Sequence, residues 1–393
     1  MRVVVLGGGY AGLLLTRKLE DRLPADADLV LVDDTGDHLV QHELHRVIRK
    51  PSLTDAITIP LTELTDRAEV REDTVTGIDT DAKTVSLDAG GELDYDAAAV
   101  CLGAQTAFYD LPGVEEHATP MKRLEHAARA RRDFEGVLET GGGTVVVGGA
   151  GLSGVQVAGE FAALAREEGV ADDVDVVLVD RSADVTPGFP ENFRQAVRGE
   201  LDRLDVTVHT DTAVTAATAD AVEFADRDPL GYDQFVWTGG IRGPDALDGD
   251  RPDVRGTLEL AENTFAVGDA ARVVDADGAV VPASAQAAVR ATEVAARNLL
   301  ASLEETDGFD PRLEQWRFES PGWLVSVGDG AVAQLGADVL TGKAAEVVKS
   351  SVGVAYLAEH GSLRNAIEVV REDVEGAPDL PTLTSRARPT ALD

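Results

Sequence analysis

The chain has 393 residues, of which 44% are apolar, and its 71 acidic against 35 basic residues give a formal net charge of −36. The length exceeds what one hydrophobic core usually serves, so we expect two or more domains. The charge argues against nucleic acid as a partner, and no apolar run is long enough to cross a bilayer. Because no secretory signal precedes the first β-rich run, we expect a cytoplasmic protein.

The acidity of the chain has two interpretations. In dilute buffer the self-repulsion opposes a compact state, whereas at molar salt the Debye length falls to about 3 Å and the repulsion is screened. The composition therefore favours a salt-loaded cytoplasm, as in a halophile. The alternative is an ordinary acidic protein with exposed carboxylates.

The chain begins with a pattern typical of a βαβ dinucleotide-binding unit. A β-rich run over residues 2–6 breaks at Gly7, Gly9 and Gly12, which occupy the positions of a G-x-G-x-x-G motif before a helical pattern. A second apolar run ends at Asp33, 21 residues beyond the last glycine. Such glycines allow a tight turn, the approach of a pyrophosphate and helix–strand packing, and the acid accepts hydrogen bonds from ribose hydroxyls. The alternative is a glycine turn without a ligand.

The same pattern recurs further along the chain. An apolar run over residues 144–147 precedes Gly149, Gly151 and Gly154, and the next apolar run ends at Asp180, 26 residues beyond the last glycine. Two complete motifs in one chain predict two bound dinucleotides.

The end of the second unit bears on the choice of nucleotide. A 2′-phosphate would meet the negative charge of Asp180, which favours NADH over NADPH. Arg181 is the next residue and weakens that preference.

Cys101, the one cysteine of the chain, lies in the apolar run 97–102. We interpret it as a buried strand residue rather than a reactive thiol. A single cysteine cannot form the redox disulfide that several flavin and pyridine-nucleotide enzymes use, so that class of mechanism is excluded.

Two later strand ends also carry glycine. The apolar run 235–237 reaches Gly239 and Gly240, where the lack of side chains would let a nicotinamide approach closely. Residues 264–267 lead into Gly268 and Asp269, which suit the ribityl or pyrophosphate edge of a flavin. Taken alone, Asp269 could be a helix N-cap.

With these motifs in place, the chain resembles the type II NADH dehydrogenases among the pyridine-nucleotide oxidoreductases, over roughly residues 1–360. The resemblance rests on residues 7–12, 102–104, 111–113, 149–160, 265–269 and 285–286. Its family-specific parts are the pair Ala285–Gln286 and the sequence after it, through Trp323 and Gly328 to residues 353–361.

The resemblance implies an α/β fold with two Rossmann-like dinucleotide-binding domains, the NADH domain being inserted in the FAD domain. The implied FAD domain covers residues 1–112 and 250–320 and the NADH domain residues 113–249. A C-terminal α/β segment, residues 321–375, is associated with the membrane and the quinone. Residues 376–393 are Pro-rich and polar, and we interpret them as a disordered tail.

The implied cofactors are FAD and NADH, each with its own set of contacts. The residues implied for FAD are Gly7, Gly9, Tyr10, Ala11, Gly12, Asp33, Gly103, Gly268, Asp269 and Ala285. Those implied for NADH are Gly149, Gly151, Gly154, Asp180, Gly239 and Gly240.

Two glutamines are predicted to act in the reaction. Gln286 opens the helix after Pro282, whose N-terminus would stabilise negative charge on the flavin. Gln156 stands where such enzymes commonly carry Glu, and Arg290 stands where they carry a second Gln. The first departure concerns proton handling near the flavin, and the second concerns the quinone contacts.

His42, Glu43 and His45 fall on one predicted helical turn, in a segment that lies near the flavin in relatives. They could relay protons, although such a cluster is more often a hydrogen-bonded surface. Their spacing is not that of a zinc-binding H-E-x-x-H helix, and no metal site is predicted.

The predicted function is that of an FAD-dependent NADH oxidoreductase. It transfers hydride from NADH to FAD and then electrons to a membrane quinone, expected to be menaquinone, without proton pumping. The alternatives are a soluble NAD(P)H reductase that acts on ferredoxin and a dinucleotide-bound redox sensor. Whether the chain forms a homodimer is left open.

Apolar residues recur at roughly helical spacing within residues 340–372 and predict a peripheral contact with the inner face of the cell membrane. They are Leu340, Ala344, Val347, Val348, Val352, Ala355, Leu357 and Ala358. The alternative is a helical hairpin packed on the FAD domain.

Overall fold

The structure of the chain is a computed structural model that describes residues 1–304, 312–342 and 344–349. Its strands, numbered in chain order, are β1 (Arg2–Leu6), β2 (Asp28–Asp33), β3 (Asp37–Leu39), β4 (Thr58–Pro60), β5 (Glu69–Glu72), β6 (Val75–Asp79), β7 (Thr84–Leu87), β8 (Glu92–Asp94), β9 (Ala97–Val100), β10 (Gln105–Thr106), β11 (Thr119–Pro120), β12 (Gly143–Gly148), β13 (Val174–Val179), β14 (Thr207–His209), β15 (Val214–Ala217), β16 (Ala221–Phe224), β17 (Leu230–Gly231), β18 (Gln234–Trp237), β19 (Ile241–Arg242), β20 (Asp253–Arg255), β21 (Glu259–Ala261), β22 (Thr264–Ala266), β23 (Arg272–Val274), β24 (Gly322–Val327), β25 (Gly330–Leu335) and β26 (Asp338–Thr341).

The helices are numbered in the same way. The α-helices are α1 (Tyr10–Arg22), α2 (Thr54–Ile57), α3 (Leu61–Leu64), α4 (Val114–His117), α5 (Leu124–Glu139), α6 (Leu152–Glu167), α7 (Glu191–Arg203) and α8 (Ala285–Leu303). Short 3-10 helices cover Gln41–Ile48, Pro51–Leu53, Asp245–Leu247 and Gly268–Ala270.

The first large sheet has the strand order β21-β22-β9-β1-β2-β5, and its strands from β22 to β5 are parallel. Strands β1, β2 and β9 are almost wholly buried, as expected of a parallel sheet that is covered on both faces. Helix α1 packs against α8 beside this sheet. The sheet therefore brings the N-terminal glycine motif and the start of α8 to the same edge.

The second large sheet is parallel throughout, with the order β11-β18-β12-β13-β14. Its strands lie between β9 and β21 in the chain, so strands of the first sheet both precede and follow it. The predicted α/β class with two Rossmann-like units is confirmed by these two sheets. The predicted domain boundaries at residues 112 and 249 fall outside the strands of both sheets and remain predictions.

The C-terminal part that the structure describes contains the antiparallel sheet β24-β25-β26 and a helical stretch over residues 344–349. Helix α6 packs against β24, and α7 packs against β25. The prediction of one helical pattern from Leu340 onward is wrong at its start, because Leu340 pairs with Ala333 of β25. Residues 352–372 of that pattern and the predicted tail, 376–393, lie outside the described residues.

No helix within residues 1–304, 312–342 and 344–349 is long and apolar enough to span a membrane.

Candidate functional site

The first glycine loop, residues 7–12, joins β1 to α1 in a conformation that requires glycine. Gly7 has φ +99°, and a Cβ there would lie 2.5 Å from the carbonyl oxygen of Cys101. A Cβ at Gly12 would overlap the carbonyl oxygen of Gly7. Beside Gly9 there is open space, which is what the close approach of a pyrophosphate needs.

The second glycine loop, residues 149–154, repeats this geometry between β12 and α6. Gly149 also has φ +99°, and a Cβ at Gly154 would overlap the carbonyl oxygen of Gly149. Open space lies beside Gly151. The two loops therefore each present a helix N-terminus and an uncovered middle glycine.

An aspartate at the next strand end closes each loop. Asp33 accepts hydrogen bonds from the backbone N–H of Gly8 at 2.7 Å and that of Thr35 at 2.9 Å. Asp180 accepts from the N–H of Ala150 at 2.6 Å and that of Ser182 at 2.7 Å. Both acids lie beside their loops as predicted from the motif. Their predicted contact with ribose hydroxyls remains a prediction.

The start of α8 comes next to the first glycine loop. Gly268 has φ +76°, and a Cβ there would lie 3.3 Å from the Cβ of Ala288 and 3.4 Å from that of Ala11. Asp269 follows in a short 3-10 helix. Arg251 holds the backbone of this segment by donating hydrogen bonds to the carbonyl oxygens of Asp269 at 2.7 Å and of Ala271 at 2.8 Å. The alternative interpretation of Asp269 as a helix N-cap is wrong, because Asp269 lies within this 3-10 helix, whose N-cap is Val267. Helix α8 is capped by Ser284, which accepts from the N–H of Ala287 and places Ala285 at the first position of α8.

The two predicted glutamines contact the same C-terminal segment. The side chain of Gln286 accepts a hydrogen bond from the hydroxyl of Ser320 at 3.1 Å. Gln156 donates to the hydroxyl oxygen of Ser326 at 3.4 Å. Ser320 lies just before β24 and Ser326 lies within it. The contacts of both glutamines are therefore made with this strand and the residues that lead into it. Their roles in the reaction remain predictions.

The remaining predicted glycines lie in different settings. Gly103 has φ +68° and open space beside it. Gly239 lies against the backbone of Gly149, so it contributes to the second loop. At Gly240 a Cβ would overlap the hydroxyl of Tyr109, so the absence of a side chain there accommodates the tyrosine. Access of a nicotinamide at these glycines remains a prediction.

The site contains a residue that the sequence did not predict, Lys122. Lys122 lies close enough to Asp269 for the two charges to interact, and burial lowers the pKa of Lys122 although Asp269 opposes this. Burial raises the pKa of the Cys101 thiol, in agreement with its interpretation as a buried residue. Nothing in the local sequence of Lys122 signals its position, because the chain brings it to Asp269 from a separate strand end.

The segment around His42, Glu43 and His45 is buried. Glu43 is 5% exposed and His45 is 4% exposed, and both lie in the 3-10 helix Gln41–Ile48 against α6. The prediction that this cluster is more often a hydrogen-bonded surface is wrong here, because its helix is covered by α5 and α6. Glu160 lies one turn beyond Gln156 on α6 and is fully buried next to His45. The sequence did not single out Glu160, although its spacing of four residues from Gln156 indicates that the two side chains share one face of the helix.

The sequence matches a known protein family and is similar to individual relatives. The family model described as pyridine nucleotide-disulphide oxidoreductase matches residues 1–292. The chain is 30% identical over 359 residues to the demethylphylloquinone reductase NdbB of Synechocystis, covering 84% of this chain and 86% of that protein. It is 26% identical to a type II NADH:quinone oxidoreductase of Staphylococcus saprophyticus, covering 88% and 93% of the two chains.

Among solved structures, NDH2 of Plasmodium falciparum in complex with NADH superimposes with a TM-score of 0.81. The superposition covers 96% of this chain and 99% of that one, at 15% sequence identity. At this identity the likeness concerns the fold alone.

Proposed function

This chain belongs to the pyridine nucleotide-disulphide oxidoreductase family, and we propose that it is an FAD-dependent NADH:quinone oxidoreductase of the type II NADH dehydrogenase kind. The observation that carries the proposal is the pair of matching glycine loops, each at a strand–helix junction of its own parallel sheet. Relatives that align over most of both chains are named as quinone reductases, which supports quinone as the acceptor.

The residues at the first loop fit FAD. The open side of Gly9 and the N-terminus of α1 suit a pyrophosphate, and Gly268, followed by Asp269, lies beside Ala11 of the same loop. The N-terminus of α8, capped by Ser284, provides backbone N–H groups for a negatively charged ring edge. When bound, FAD supplies the redox chemistry by taking two electrons from NADH and passing them to the quinone.

The residues at the second loop fit NADH. Gly151 leaves room for the pyrophosphate at the N-terminus of α6, and Asp180 stands at the strand end where a ribose is bound in such units. The protein positions the two dinucleotides and excludes water between them, and it needs no nucleophile of its own.

The single cysteine limits the chemistry within the family. A catalytic disulfide needs two cysteines, and the chain has only Cys101, which is buried under the first glycine loop. Disulfide reduction and sulfide oxidation through paired cysteines are therefore unavailable to this protein.

The test measures the rate of NADH oxidation by FAD-loaded protein in molar KCl and compares three conditions: a menaquinone analogue, ferredoxin and no acceptor. We expect rapid NADH oxidation with a menaquinone analogue and slow oxidation with ferredoxin or without an acceptor. Preference for ferredoxin would support the soluble reductase, and loss of turnover with every acceptor would support a redox sensor.

Three finer features form part of the proposal: menaquinone as the quinone, a peripheral contact with the inner face of the cell membrane, and a homodimer. The apolar residues Ala344, Val347 and Val348 in the helical stretch 344–349 support the membrane contact. Flotation with liposomes in KCl, with and without the residues from Leu340 onward, tests it. Light scattering measures the oligomeric state.

A further inference from the structure

An exposed tyrosine lies on the connection between the two large sheets. Tyr109 belongs to the segment that leaves β9 of the first sheet and leads, through β10, to β11 of the second. The neighbouring Phe108 packs against a hydrophobic cluster, whereas Tyr109 is 54% exposed. Packing of the core therefore does not account for a tyrosine at this position.

The backbone at Tyr109 is unfavourable for a tyrosine. The N–H of Leu111 donates to the carbonyl oxygen of Phe108 at 3.1 Å, so residues 108–111 form a tight turn. Its two central residues, Tyr109 and Asp110, have φ +56° and +54°. Turns with positive φ at both central residues favour Asn, Asp or Gly, and a bulky residue there is an outlier. Asp110 follows this preference and Tyr109 does not, so the side chain of Tyr109 needs an explanation outside the turn.

The ring of Tyr109 fills the space beside Gly240. A Cβ at Gly240 would overlap the hydroxyl of Tyr109, and its three nearest atoms would all belong to this phenol. The backbone brings the two residues together, because the N–H of Ala107 donates to the carbonyl oxygen of Gly240 at 3.0 Å and β10 pairs with β19. Within residues 1–304, 312–342 and 344–349 no hydrogen bond holds the hydroxyl of Tyr109. The phenol therefore covers Gly240 without being fixed there by a polar contact.

The strand order places Gly240 on the nicotinamide side of the second glycine loop. In the order β11-β18-β12-β13-β14, helix α6 leads from β12 to β13, and β18 lies on the other side of β12. A dinucleotide crosses such a sheet where the strand order reverses, here between β12 and β18. Asp180 at the end of β13 marks the adenosine half, so the nicotinamide half extends over the end of β18. Gly239 follows that strand end and lies against Gly149 of the loop, and Gly240 is the next residue.

On the basis of the proposed function, we propose that Tyr109 occupies the nicotinamide site while no nucleotide is bound and that the nicotinamide ring of NADH displaces it. Both rings are flat and of similar size, so they compete for the same side of Gly240. Because Tyr109 is exposed, its ring can turn into solvent by rotation about its side-chain bonds while the turn keeps its backbone. The tyrosine thereby lowers the affinity for NADH without touching the contacts of the adenosine and the pyrophosphate.

The test compares two nucleotides that differ at the nicotinamide end. Tetrahydro-NADH carries the ring but cannot transfer hydride, whereas ADP-ribose ends at the second ribose. Tyr109→Asn removes the phenol and supplies a residue that tolerates positive φ, so the variant should fold. We expect it to tighten the Kd of tetrahydro-NADH about fivefold, as for a site that the ring covers in about 80% of molecules. The Kd of ADP-ribose should stay within about twofold, the size of a side effect on the shared contacts. Calorimetric titrations of FAD-loaded protein in molar KCl measure both constants.

Asp110→Asn is the matched control. It changes the other central residue of the same turn, which is also exposed and is not among the atoms nearest to Gly240. The ratio of the two Kd values should remain that of the wild-type protein, because the loss of one charge acts on both nucleotides alike. Weaker binding of tetrahydro-NADH by Tyr109→Asn would make the tyrosine a wall of the pocket and overturn the proposal. An equal change for both nucleotides would assign it a purely structural role.

A spectroscopic readout follows the ring itself. The protein is prepared with fluorotyrosine, and the signal of Tyr109 among the 5 tyrosines is identified by its loss in Tyr109→Phe. We expect the ¹⁹F resonance of Tyr109 to shift when tetrahydro-NADH is added and to stay in place when ADP-ribose is added. A resonance that responds equally to both nucleotides, or to neither although both bind, would contradict displacement of the ring.

The failure of this proposal is distinguishable from that of the proposed function. If neither the wild-type protein nor Tyr109→Asn binds tetrahydro-NADH or ADP-ribose, the second loop is not an NADH site and the proposed function fails. If both nucleotides bind with the same ratio of Kd values in the two proteins, and NADH still reduces the flavin, the proposed function stands and Tyr109 does not occupy the nicotinamide site.

Discussion

The two glycine loops have the same backbone but different surroundings. In the first loop Tyr10 and Ala11 are 9% and 5% exposed, because the Tyr10 ring lies against the rings of His38 and His42 and Ala11 lies beside Gly268. The equivalent residues of the second loop, Leu152 and Ser153, are half-buried and exposed. The same loop geometry can therefore serve a cofactor that stays bound or a substrate that exchanges, depending on what covers it. This difference supports assignment of the first loop to FAD and the second to NADH.

The largest expected effect comes from blocking each loop separately. Gly9 and Gly151 both have φ −68°, which any residue adopts, and both face open space, so valine should be tolerated by the fold. We expect Gly9→Val to yield protein without flavin. Gly151→Val should keep its flavin and lose NADH affinity by at least about 100-fold, or roughly 2.7 kcal/mol. Absorbance spectra and NADH titrations measure both, and flavin loss in Gly151→Val would reverse the assignment.

Salt should act on the whole fold rather than on one loop. The net charge of −36 opposes compaction in dilute buffer, so the melting temperature should rise with KCl. Between roughly 0.1 and 3 M the Debye length shrinks several-fold. We expect a rise of at least ~5 °C, on the order of 2 kcal/mol, with flavin retained only at the higher concentrations. A flat profile would count against adaptation to high salt.

A smaller effect concerns the nucleotide at the second loop. Asp180→Ala should narrow the preference for NADH over NADPH by about tenfold, or roughly 1.4 kcal/mol, since it removes the charge that repels a 2′-phosphate. Asp180→Asn is the matched control, because it retains an oxygen for the N–H of Ala150. The ratio of kcat/KM for NADH to kcat/KM for NADPH measures this preference in the wild-type protein and in each variant. A wild-type preference for NADPH, assisted by Arg181, would show that the prediction is wrong.

The smallest effect is a pH dependence of stability that arises beside the first loop. Burial lowers the pKa of His42 from 6.5, although Glu43 opposes this, and the ring contacts Tyr10 of that loop. A lowered pKa means that the stabilisation is complete above pH 6.5 and is lost as pH falls toward the pKa of the folded protein. The free energy of unfolding should thus fall on acidification, and His42→Gln should reduce this fall. Urea unfolding at a series of pH values measures it, and an unchanged pH profile in the variant would exclude His42 as its source.

Features encoded within one βαβ unit could be predicted from the sequence. The positions of Gly7, Gly12 and Asp33 depend on a strand, a turn and a helix that are consecutive in the chain, and the same holds for Gly149 and its partners. Their spacing therefore carries the geometry directly.

Features that depend on distant segments could not be predicted in this way. The cluster of His45, Glu160 and Ser326 joins residues that are up to 281 positions apart in the chain, so no local pattern signals their contact. A cluster such as His42, Glu43 and His45 is more often a hydrogen-bonded surface, whereas packing of the 3-10 helix against α5 and α6 buries Glu43 and His45 here. Leu340 was assigned to a helix because its spacing fits, but pairing with β25 places it in a strand.

The central claim is that one chain binds two dinucleotides and passes electrons from NADH to FAD and then to a quinone. An anaerobic titration tests this claim most directly. Protein loaded with FAD in molar KCl is titrated with NADH while the flavin absorbance is followed, and a menaquinone analogue is then added. The account predicts that one equivalent of NADH per chain bleaches the flavin and that one equivalent of the quinone restores it. Flavin that binds but is not bleached by NADH would contradict the account.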